Sequence, residues 1–282
     1  MKKITRRSFM AAAGLTVAAL ALTACGGSSS TASSAAASSV ASSAAASSEA
    51  ASAAATELTT VEAGKLTMAT NAAFPPYEMT TDAGEFEGID IETAQAIADK
   101  LGLELQIDDM DFDAALLSVQ QGKADIVMAG VTVTDERKAV MDFSDSYATG
   151  IQSIIVPEGS DITSPDDLAG KKIGTQRGTT GYIYCSDDFG DENVVAYDDG
   201  LTAVQALNNG QVDAVVIDNA PAKEFVAANP GLVILDTSYA EEDYAIGVAK
   251  GSSLKDAVNA ALEELKADGT LQSIVDKYIT AE

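Results

Sequence analysis

The sequence has no histidine and no tryptophan, and its 282 residues include only two cysteines and four arginines. Without histidine, the chain cannot build a Ser-His-Asp triad, a Cys-His pair or a histidine-ligated zinc site. An enzyme on this chain would need a carboxylate, a lysine or a tyrosine as its proton-transferring group. These absences favour a binding protein over an enzyme, and they predict neither a cofactor nor a metal site.

Basic residues are also scarce, with 17 lysines and arginines against 43 aspartates and glutamates and a formal net charge of −26. A chain this acidic is not expected to bind nucleic acid, which requires basic patches. Most of the acidic residues are expected on the solvated surface. A small anionic ligand would therefore have to be held by a local cation.

The N-terminus has the pattern of a bacterial export signal. Residues 1–24 combine four basic residues with an apolar run from Phe9 to Leu22 that is too short and alanine-rich to favour a permanent membrane span. The sequence LTACG that ends at Gly26 resembles the lipobox of bacterial lipoproteins and predicts lipidation of Cys25. An ordinary cleavage site with an incidental cysteine is the alternative, and general or twin-arginine export both remain open.

The next segment, residues 25–57, consists almost entirely of serine and alanine after its first residues. It has no apolar periodicity and cannot bury a core, which predicts a flexible tether. From Leu58 onward the composition is globular, and the remaining length is sufficient for two modest domains. A lipid anchor and a tether would place these domains at the outer face of the bacterial cell membrane.

Apolar periodicity predicts alternating strands and helices from Lys65 onward, as in an α/β fold with parallel sheets. The predicted strands are residues 65–70, 103–107, 124–129, 172–175, 193–197 and 212–217. The predicted helices are residues 90–101, 111–121, 201–208, 221–228, 254–266 and 271–278, with a further helix starting near residue 179.

Two positions stand out at the ends of apolar strands. Gly130 and Asp218 each lie just past the carboxyl end of a strand. Ligands of open α/β sheets bind outside these strand ends, so both positions are candidates for a site. Asp218 could also cap the helix near Pro221, a role that is compatible with ligand binding.

Arg137 is the strongest single candidate for a ligand contact. It follows an apolar strand, close to Gly130 and two threonines. A guanidinium binds both oxygens of a carboxylate at once and stays charged at any physiological pH. The alternative is a surface helix residue paired with Asp135 or Glu136. Arg177, the other arginine outside the export signal, is expected at the surface.

Several short motifs, in this order, resemble the amino-acid-binding proteins of ABC importers, solute-binding family 3. They are ATNAAFPPYE at 69–78, EGIDI at 87–91, MDF at 110–112, AGVTVTDERK at 129–138, DFS at 142–144, GTTG at 178–181 and VDAVVID at 212–218. The resemblance covers nearly all of residues 65–278. It implies a monomer that captures a free L-amino acid outside the cytoplasm and delivers it to the permease and ATPase subunits of an ABC importer.

The resemblance also implies a two-lobed fold like that of periplasmic binding proteins. Each lobe would be a mostly parallel sheet flanked by helices, and two hinge strands near residues 147–151 and 241–244 would join the lobes. Lobe one would comprise residues 58–148 plus 244–282, and lobe two residues 149–243. The ligand would lie between the lobes, which close over it by a hinge motion.

Transferred to matching positions, the family's polar contacts imply one contact for each charged group of the amino acid. Arg137 would bind the α-carboxylate, with help from Thr132 and Thr180. Asp218 would pair with the α-ammonium, alongside the carbonyl of Gly130 and the hydroxyl of Thr132. Charge-assisted hydrogen bonds of this kind contribute about 1.5–3 kcal/mol each.

The same transfer implies the contacts of the ligand's side chain. Phe74 and Phe112 would sandwich it with Tyr77 nearby, although both phenylalanines could be core residues. Gln176 and Asn71 would reach its far end, and the uncharged amide of Asn71 favours a neutral polar ligand. Three acids could supply a charge there instead: Asp90, Asp111 and Asp113.

Two other classes of function compete with amino-acid transport. The first is a lyase on the same fold, because cyclohexadienyl dehydratase-like proteins resemble this family. The second is a ligand-sensing module that acts through a separate partner. Cys185 is expected to be a semi-buried small residue without a chemical role.

Overall fold

The computed structural model describes residues 58–279. The predicted signal peptide at residues 1–24, the lipidation site Cys25 and the tether at residues 25–57 therefore lie outside the described residues. Between residues 58 and 279, no helix combines the length and the apolar character needed to cross a bilayer.

Strands and helices alternate along most of the described chain. The strands are β1 Lys65–Thr70, β2 Ala73–Phe74, β3 Glu78–Thr80, β4 Phe86–Glu87, β5 Glu104–Asp109, β6 Ile126–Val127, β7 Met141–Pro157, β8 Ile173–Gln176, β9 Val194–Tyr197, β10 Ala214–Asp218, β11 Leu232–Ile234 and β12 Ala240–Ala249. The helices are α1 Ile89–Leu101, α2 Phe112–Gln120, α3 Asp135–Val140, α4 Thr180–Phe189, α5 Gly200–Asn208, α6 Asn219–Ala228, α7 Leu254–Ala267 and α8 Thr270–Tyr278. Two short 3-10 helices, Pro165–Leu168 and Asp191–Asn193, complete the set.

The main sheet has the strand order β5-β1-β6-β12-β7-β10-β8-β9, with β11 paired to β7. Its two ends are parallel: β1 pairs with β5 and β6, and β8 pairs with β9 and β10. In its middle, β7 and β12 run antiparallel to each other and to their outer neighbours. The fold is therefore α/β with a mostly parallel sheet flanked by helices, and this confirms the predicted fold class.

The helices form where apolar periodicity and glycine stops coincide. In α1, the buried positions Ile91, Ala94 and Ala98 repeat at three- and four-residue spacing, and the helix ends at Gly102 with a left-handed φ of 69°. Every residue of β10 is buried, as expected for a strand covered on both faces. In α1 and β10, the apolar residues that predict the element are thus the residues that are buried in the fold.

The two stretches predicted as hinge strands pair with each other at the centre of the sheet. Glu242 lies opposite Gly150, and Tyr244 lies opposite Ala148. The ring of Tyr244 covers Gly150 so closely that a Cβ at that glycine would lie 2.5 Å from its Cζ. Glycine at position 150 therefore allows Tyr244 to lie across β7, next to the candidate site.

Candidate functional site

A cavity in the described structure is lined by twelve residues from both parallel ends of the sheet. They are Asn71, Phe74, Glu78, Phe112, Ala129, Gly130, Thr132, Arg137, Gln176, Thr179, Thr180 and Asp218. Nine of the ten predicted contact residues are among them. The exception is Tyr77, which lines a neighbouring cavity and packs edge-on against Tyr244 with 5.3 Å between the ring centroids.

Residues that are distant in sequence meet at the cavity because several of them lie at the ends of strands. Asn71 follows β1, Gly130 lies shortly after β6, and Gln176 and Asp218 are the last residues of β8 and β10. Thr180 begins α4, whose N-terminal N–H groups favour an anion. Within each parallel end of the sheet the carboxyl ends of the strands lie at one edge. Three antiparallel pairings between the two ends reverse the strand direction, and residues from both edges line the one cavity.

Gly130 is required by its backbone and by its neighbours. Its φ is 55°, in the left-handed region, and a Cβ there would lie 2.9 Å from Cε1 of Phe74 and 3.3 Å from Cε2 of Tyr244. A larger residue would be strained and would push the aromatic wall away. The carbonyl of Gly130 is therefore held at the cavity by a position that only glycine fits without rearrangement.

Arg137 is buried, with 8% of its surface exposed. Its Nη1 donates to the carbonyl of Thr132 at 2.8 Å, and its Nη2 donates to the carbonyl of Gly178 at 3.1 Å. Its guanidinium carbon lies 5.3 Å from the ring centroid of Phe112. These contacts fix the guanidinium and use two of its five N–H donors, so three remain for another group.

The environment of Arg137 differs from that of a surface helix residue. Burial lowers the pKa of the Arg137 guanidinium, yet arginine remains protonated in proteins. Asp135, the suggested surface partner, lies 3.7 Å from the ammonium of Lys138. Arg177, by contrast, has 54% of its side chain exposed and forms a surface ion pair with Asp198 at 3.3 Å.

Glu242 is a functional candidate that sequence reasoning missed. It is 7% exposed, and its Oε2 accepts from the hydroxyl of Thr180 at 2.8 Å, the amide of Gln152 at 3.0 Å and the hydroxyl of Thr132 at 3.2 Å. Its carboxylate is also the charge that most strongly favours the protonated form of Arg137. Glu242 therefore joins both parallel ends of the sheet and balances the buried cation.

A signal for Glu242 exists in the sequence. In the sequence, Glu242 is followed at two-residue spacing by Tyr244, Ile246 and Val248, the spacing of residues that share one face of a regular strand. A glutamate in register with three inward apolar residues is expected to be buried. The neighbouring acids Glu241 and Asp243 are exposed, which conceals this pattern in a run of three charges.

Asp218 lies at the boundary between β10 and α6 with 7% exposure. Its Oδ2 accepts from the amide of Gln152 at 2.8 Å, and its Oδ1 accepts from the hydroxyl of Tyr244. Burial raises the pKa of Asp218 to about 7. It occupies the N-cap position of α6 but makes no side-chain capping bond, so its oxygens are oriented by cavity residues instead.

The two predicted amides contact each other. The Nε2 of Gln176 donates to the Oδ1 of Asn71 at 2.8 Å and to the carbonyl of Asp198 at 3.2 Å. The Nδ2 of Asn71 donates to the carbonyl of Met110 at 2.9 Å. Both side chains are therefore fixed by the protein, and most of their N–H donors are used within it.

Glu78 and Asp90 form a second group of buried acids beside this cavity, and both are fully inaccessible to solvent. The Oδ2 of Asp90 accepts from the hydroxyl of Tyr147 at 2.8 Å and from the backbone N–H of Gly130 at 3.1 Å. Burial raises the pKa of Asp90 to about 6 and the pKa of Glu78 well above its ordinary value. Sequence reasoning named Asp90 as a possible charge but did not consider Glu78.

Cys185 and the two phenylalanines complete the account of the predicted residues. Cys185 is buried, and burial raises the pKa of its thiol to about 12, so a reactive thiolate is not favoured. Phe74 and Phe112 are 7% and 5% exposed, and both belong to apolar clusters while they line the cavity. Both rings are therefore core residues that also form part of the cavity wall.

The chain is similar to known proteins over nearly all of its described length. A family model described as "Bacterial extracellular solute-binding proteins, family 3" matches residues 66–281. An L-cystine-binding protein of Escherichia coli strain K12 is 33% identical over 226 residues, which cover 78% of this chain and 85% of that protein. An arginine-binding extracellular protein of Bacillus subtilis strain 168 is 33% identical over 228 residues, covering 77% and 87%. The structure of an ancestral arginine-binding protein bound to arginine matches with a TM-score of 0.73 and 43% identity, covering 77% of this chain and 98% of that one.

Proposed function

Because this chain belongs to the bacterial extracellular solute-binding proteins of family 3, we propose that it captures a free L-amino acid outside the cytoplasm and delivers it to an ABC importer. One observation carries the proposal: a buried guanidinium, Arg137, and a buried carboxylate, Asp218, line the same cavity. An amino acid carries the complementary pair of charges on one carbon atom. Relatives named for cystine, arginine and glutamine support this class of ligand.

The roles of the cavity residues follow from their remaining bonding capacity. Arg137 binds the α-carboxylate with the N–H donors that its two carbonyl contacts leave free. The backbone N–H groups at the N-terminus of α4, which begins at Thr180, also bind the α-carboxylate. Asp218 and the carbonyl of Gly130 bind the α-ammonium, and Phe74 and Phe112 enclose the ligand's side chain.

Binding is coupled to closure of two lobes. We assign residues 58–148 plus 244–282 to lobe one and residues 149–243 to lobe two, with β7 and β12 as the hinge. The antiparallel pairing of these strands between two parallel ends of one sheet supports this division. Hydrogen bonds from Thr132 and Thr180 to Glu242 then bring one hydroxyl from each lobe to a carboxylate on the hinge.

Anchoring and partners extend the proposal beyond the described residues. Residues 1–24 direct export, Cys25 carries a lipid, and residues 25–57 tether a monomer beside the permease and ATPase subunits. Membership of a family of extracellular binding proteins supports this location. Cys25→Ala should move the protein from the membrane fraction to the soluble fraction, and an unchanged distribution would contradict the anchor.

The first experiment is a thermal-shift screen of the twenty amino acids, followed by calorimetric titration of those that bind. A ligand that binds only the folded state raises the melting temperature, and about 100 Kd of ligand adds about 2.7 kcal/mol. We expect at least one L-amino acid to bind, and its D-enantiomer to bind far more weakly. Turnover of prephenate or arogenate in the same preparation would instead identify a lyase.

A further inference from the structure

The acid Glu78 lines the cavity beside Asp90. Both of its oxygens are buried, and neither has a hydrogen-bond partner among residues 58–279. A bond between Glu78 and Asp90 forms only when one of the two carboxyls is protonated. Such a shared proton still leaves an oxygen of Glu78 without a donor, and a buried acceptor in this state is costly.

The charges of the cavity wall are unequal. Its ionisable residues are one base, Arg137, and two acids, Glu78 and Asp218. If Arg137 binds the α-carboxylate and Asp218 binds the α-ammonium, both of those charges are balanced. Glu78 is then left without a cation, so its ionised form requires one from the ligand.

The two amides of the wall, Gln176 and Asn71, also offer more acceptor sites than donor sites. Both N–H groups of Gln176 donate within the protein, so only its Oε1 remains for a ligand. Asn71 has already given one N–H to Met110 and can accept a further bond at Oδ1. A ligand side chain that carries several donors and a positive charge would satisfy these acceptors together with Glu78.

We infer that the ligand has a cationic side chain, a guanidinium or an ammonium, and that Glu78 is the residue that selects it. The inference rests on the proposed function, because it assumes that Arg137 and Asp218 hold the backbone of an amino acid. It differs from the expectation of a neutral ligand drawn from Asn71, since that expectation did not include Glu78. The cation binds a Glu78 oxygen, while Asp90 stays bonded to Tyr147 and Gly130.

A protonation change accompanies this selection. The ionisable groups that act on Glu78 are Tyr77, Asp90, Asp109, Tyr147 and Asp218, and none of them is a base. Without a cation, burial and these neighbours therefore favour the protonated form of Glu78. Binding of a cationic side chain displaces that proton, so affinity for such a ligand rises with pH. Asp218 also releases protons when an ammonium binds, but it does so equally for every amino acid.

L-Arginine and L-citrulline provide the test, because they have nearly the same shape and differ in side-chain charge. In titration calorimetry of the wild-type protein, we expect arginine to bind at least about tenfold more tightly, the loss expected for one charge-assisted hydrogen bond. Glu78→Gln should remove most of this preference and leave citrulline affinity within about threefold. The control is Glu87→Gln, which removes an exposed glutamate from the adjacent strand β4 and should change neither affinity.

Proton release provides a second measurement that needs no variant. Titrations in buffers of different ionisation enthalpy should show that arginine releases up to about one proton more than citrulline near pH 7. If Glu78→Gln fails to fold, this difference decides the question, and equal proton release overturns the role of Glu78. Equal affinities in the wild-type protein overturn the inference but leave the proposed function intact. If no amino acid binds at all, the proposed function fails first.

Discussion

Two buried glutamates, Glu242 and Glu78, lie beside the same cavity and differ in the number of hydrogen bonds that they accept. Glu242 accepts three hydrogen bonds at its Oε2, has no partner at its buried Oε1, and balances Arg137 electrostatically. Glu78 has neither a donor nor a cation among the described residues, apart from a proton that it can share with Asp90. A buried acid with its partners in place completes the protein's own framework, whereas one without them is suited to a ligand. The predictions below test that distinction.

The largest expected effect is on amino-acid affinity in Arg137→Ala. Removal of the buried cation deprives the ligand carboxylate of its partner, and loss of one member of a buried pair costs about 3–5 kcal/mol, or more than about 10² in affinity. The matched control is Arg177→Ala, because Arg177 forms only an exposed pair with Asp198. Titration calorimetry checks both variants. Similar affinities for the two would remove Arg137 from the site.

A smaller loss is expected in Asp218→Asn. The amide keeps an acceptor for Tyr244 but cannot form an ion pair with the α-ammonium. Loss of one charge-assisted bond predicts affinity lower by about 10- to 100-fold. The ligand-free variant should remain folded, as judged by its melting temperature. An unchanged dissociation constant would indicate that Asp218 serves the framework, as Glu242 does.

The stability of the ligand-free protein should separate the two glutamates directly. Glu242→Gln removes the charge that balances Arg137 and weakens three hydrogen bonds, so its melting temperature should fall by a few degrees. Glu78→Gln removes a buried acid without donors, so its melting temperature should stay the same or rise. Thermal unfolding without ligand measures both. The opposite order would overturn the distinction between framework and ligand acids.

The smallest expected effect is the pH dependence of ligand-free stability. Burial raises the pKa of Asp90 to about 6 and the pKa of Asp218 to about 7, so the folded state favours their protonated forms. Their contribution to stability is fully present below the ordinary pKa near 4 and is lost as the pH rises through 6 and 7. The melting temperature should therefore decline from about pH 5 to pH 8 on their account, as thermal unfolding at a series of pH values will measure. Asp218→Asn should flatten the upper part of that decline, and an unchanged profile would contradict this assignment.

The sequence predicted the regular elements better than the irregular ones. The predicted strand at residues 65–70 coincides with β1, and the predicted helix at residues 254–266 differs from α7 by one residue. Periodicity succeeds there because one face of each element is buried along its whole length. The predicted strand at residues 124–129 is buried throughout, and β6 covers only Ile126–Val127 of it. The backbone N–H groups of Asp125 and Met128 also donate to carbonyls of β1, so the prediction errs at the strand's ends and not at its centre.

The longest strand, β7, was the element that the sequence predicted least well. β7 spans 17 residues, and only its stretch near residues 147–151 was expected, from the family resemblance. Its polar and apolar residues alternate irregularly because it pairs with β12, β10 and β11 in turn and changes environment along its length. Such a pattern depends on partners that are distant in sequence.

The site residues likewise divide into those that the sequence predicted and those whose burial depends on residues distant in sequence. Nine predicted contact residues line one cavity because strand ends and a family resemblance locate them. Glu78 and Glu242 were missed because each is one acid among many, and composition assigned acids to the surface. Their burial is fixed by packing around them, with Glu78 at the start of β3 and Glu242 within β12. Sequence therefore located the charges that we propose bind the backbone of the ligand better than the charge that we propose selects its side chain.

The central claim is that buried Arg137 binds the α-carboxylate of a free amino acid. The most direct test titrates the tightest-binding amino acid and its α-carboxamide into the wild-type protein and into Arg137→Ala. We predict that the carboxamide binds more than about 10²-fold more weakly than the acid to the wild-type protein, and that this difference nearly disappears in the variant. A carboxamide that binds the wild-type protein as tightly as the acid would contradict the claim.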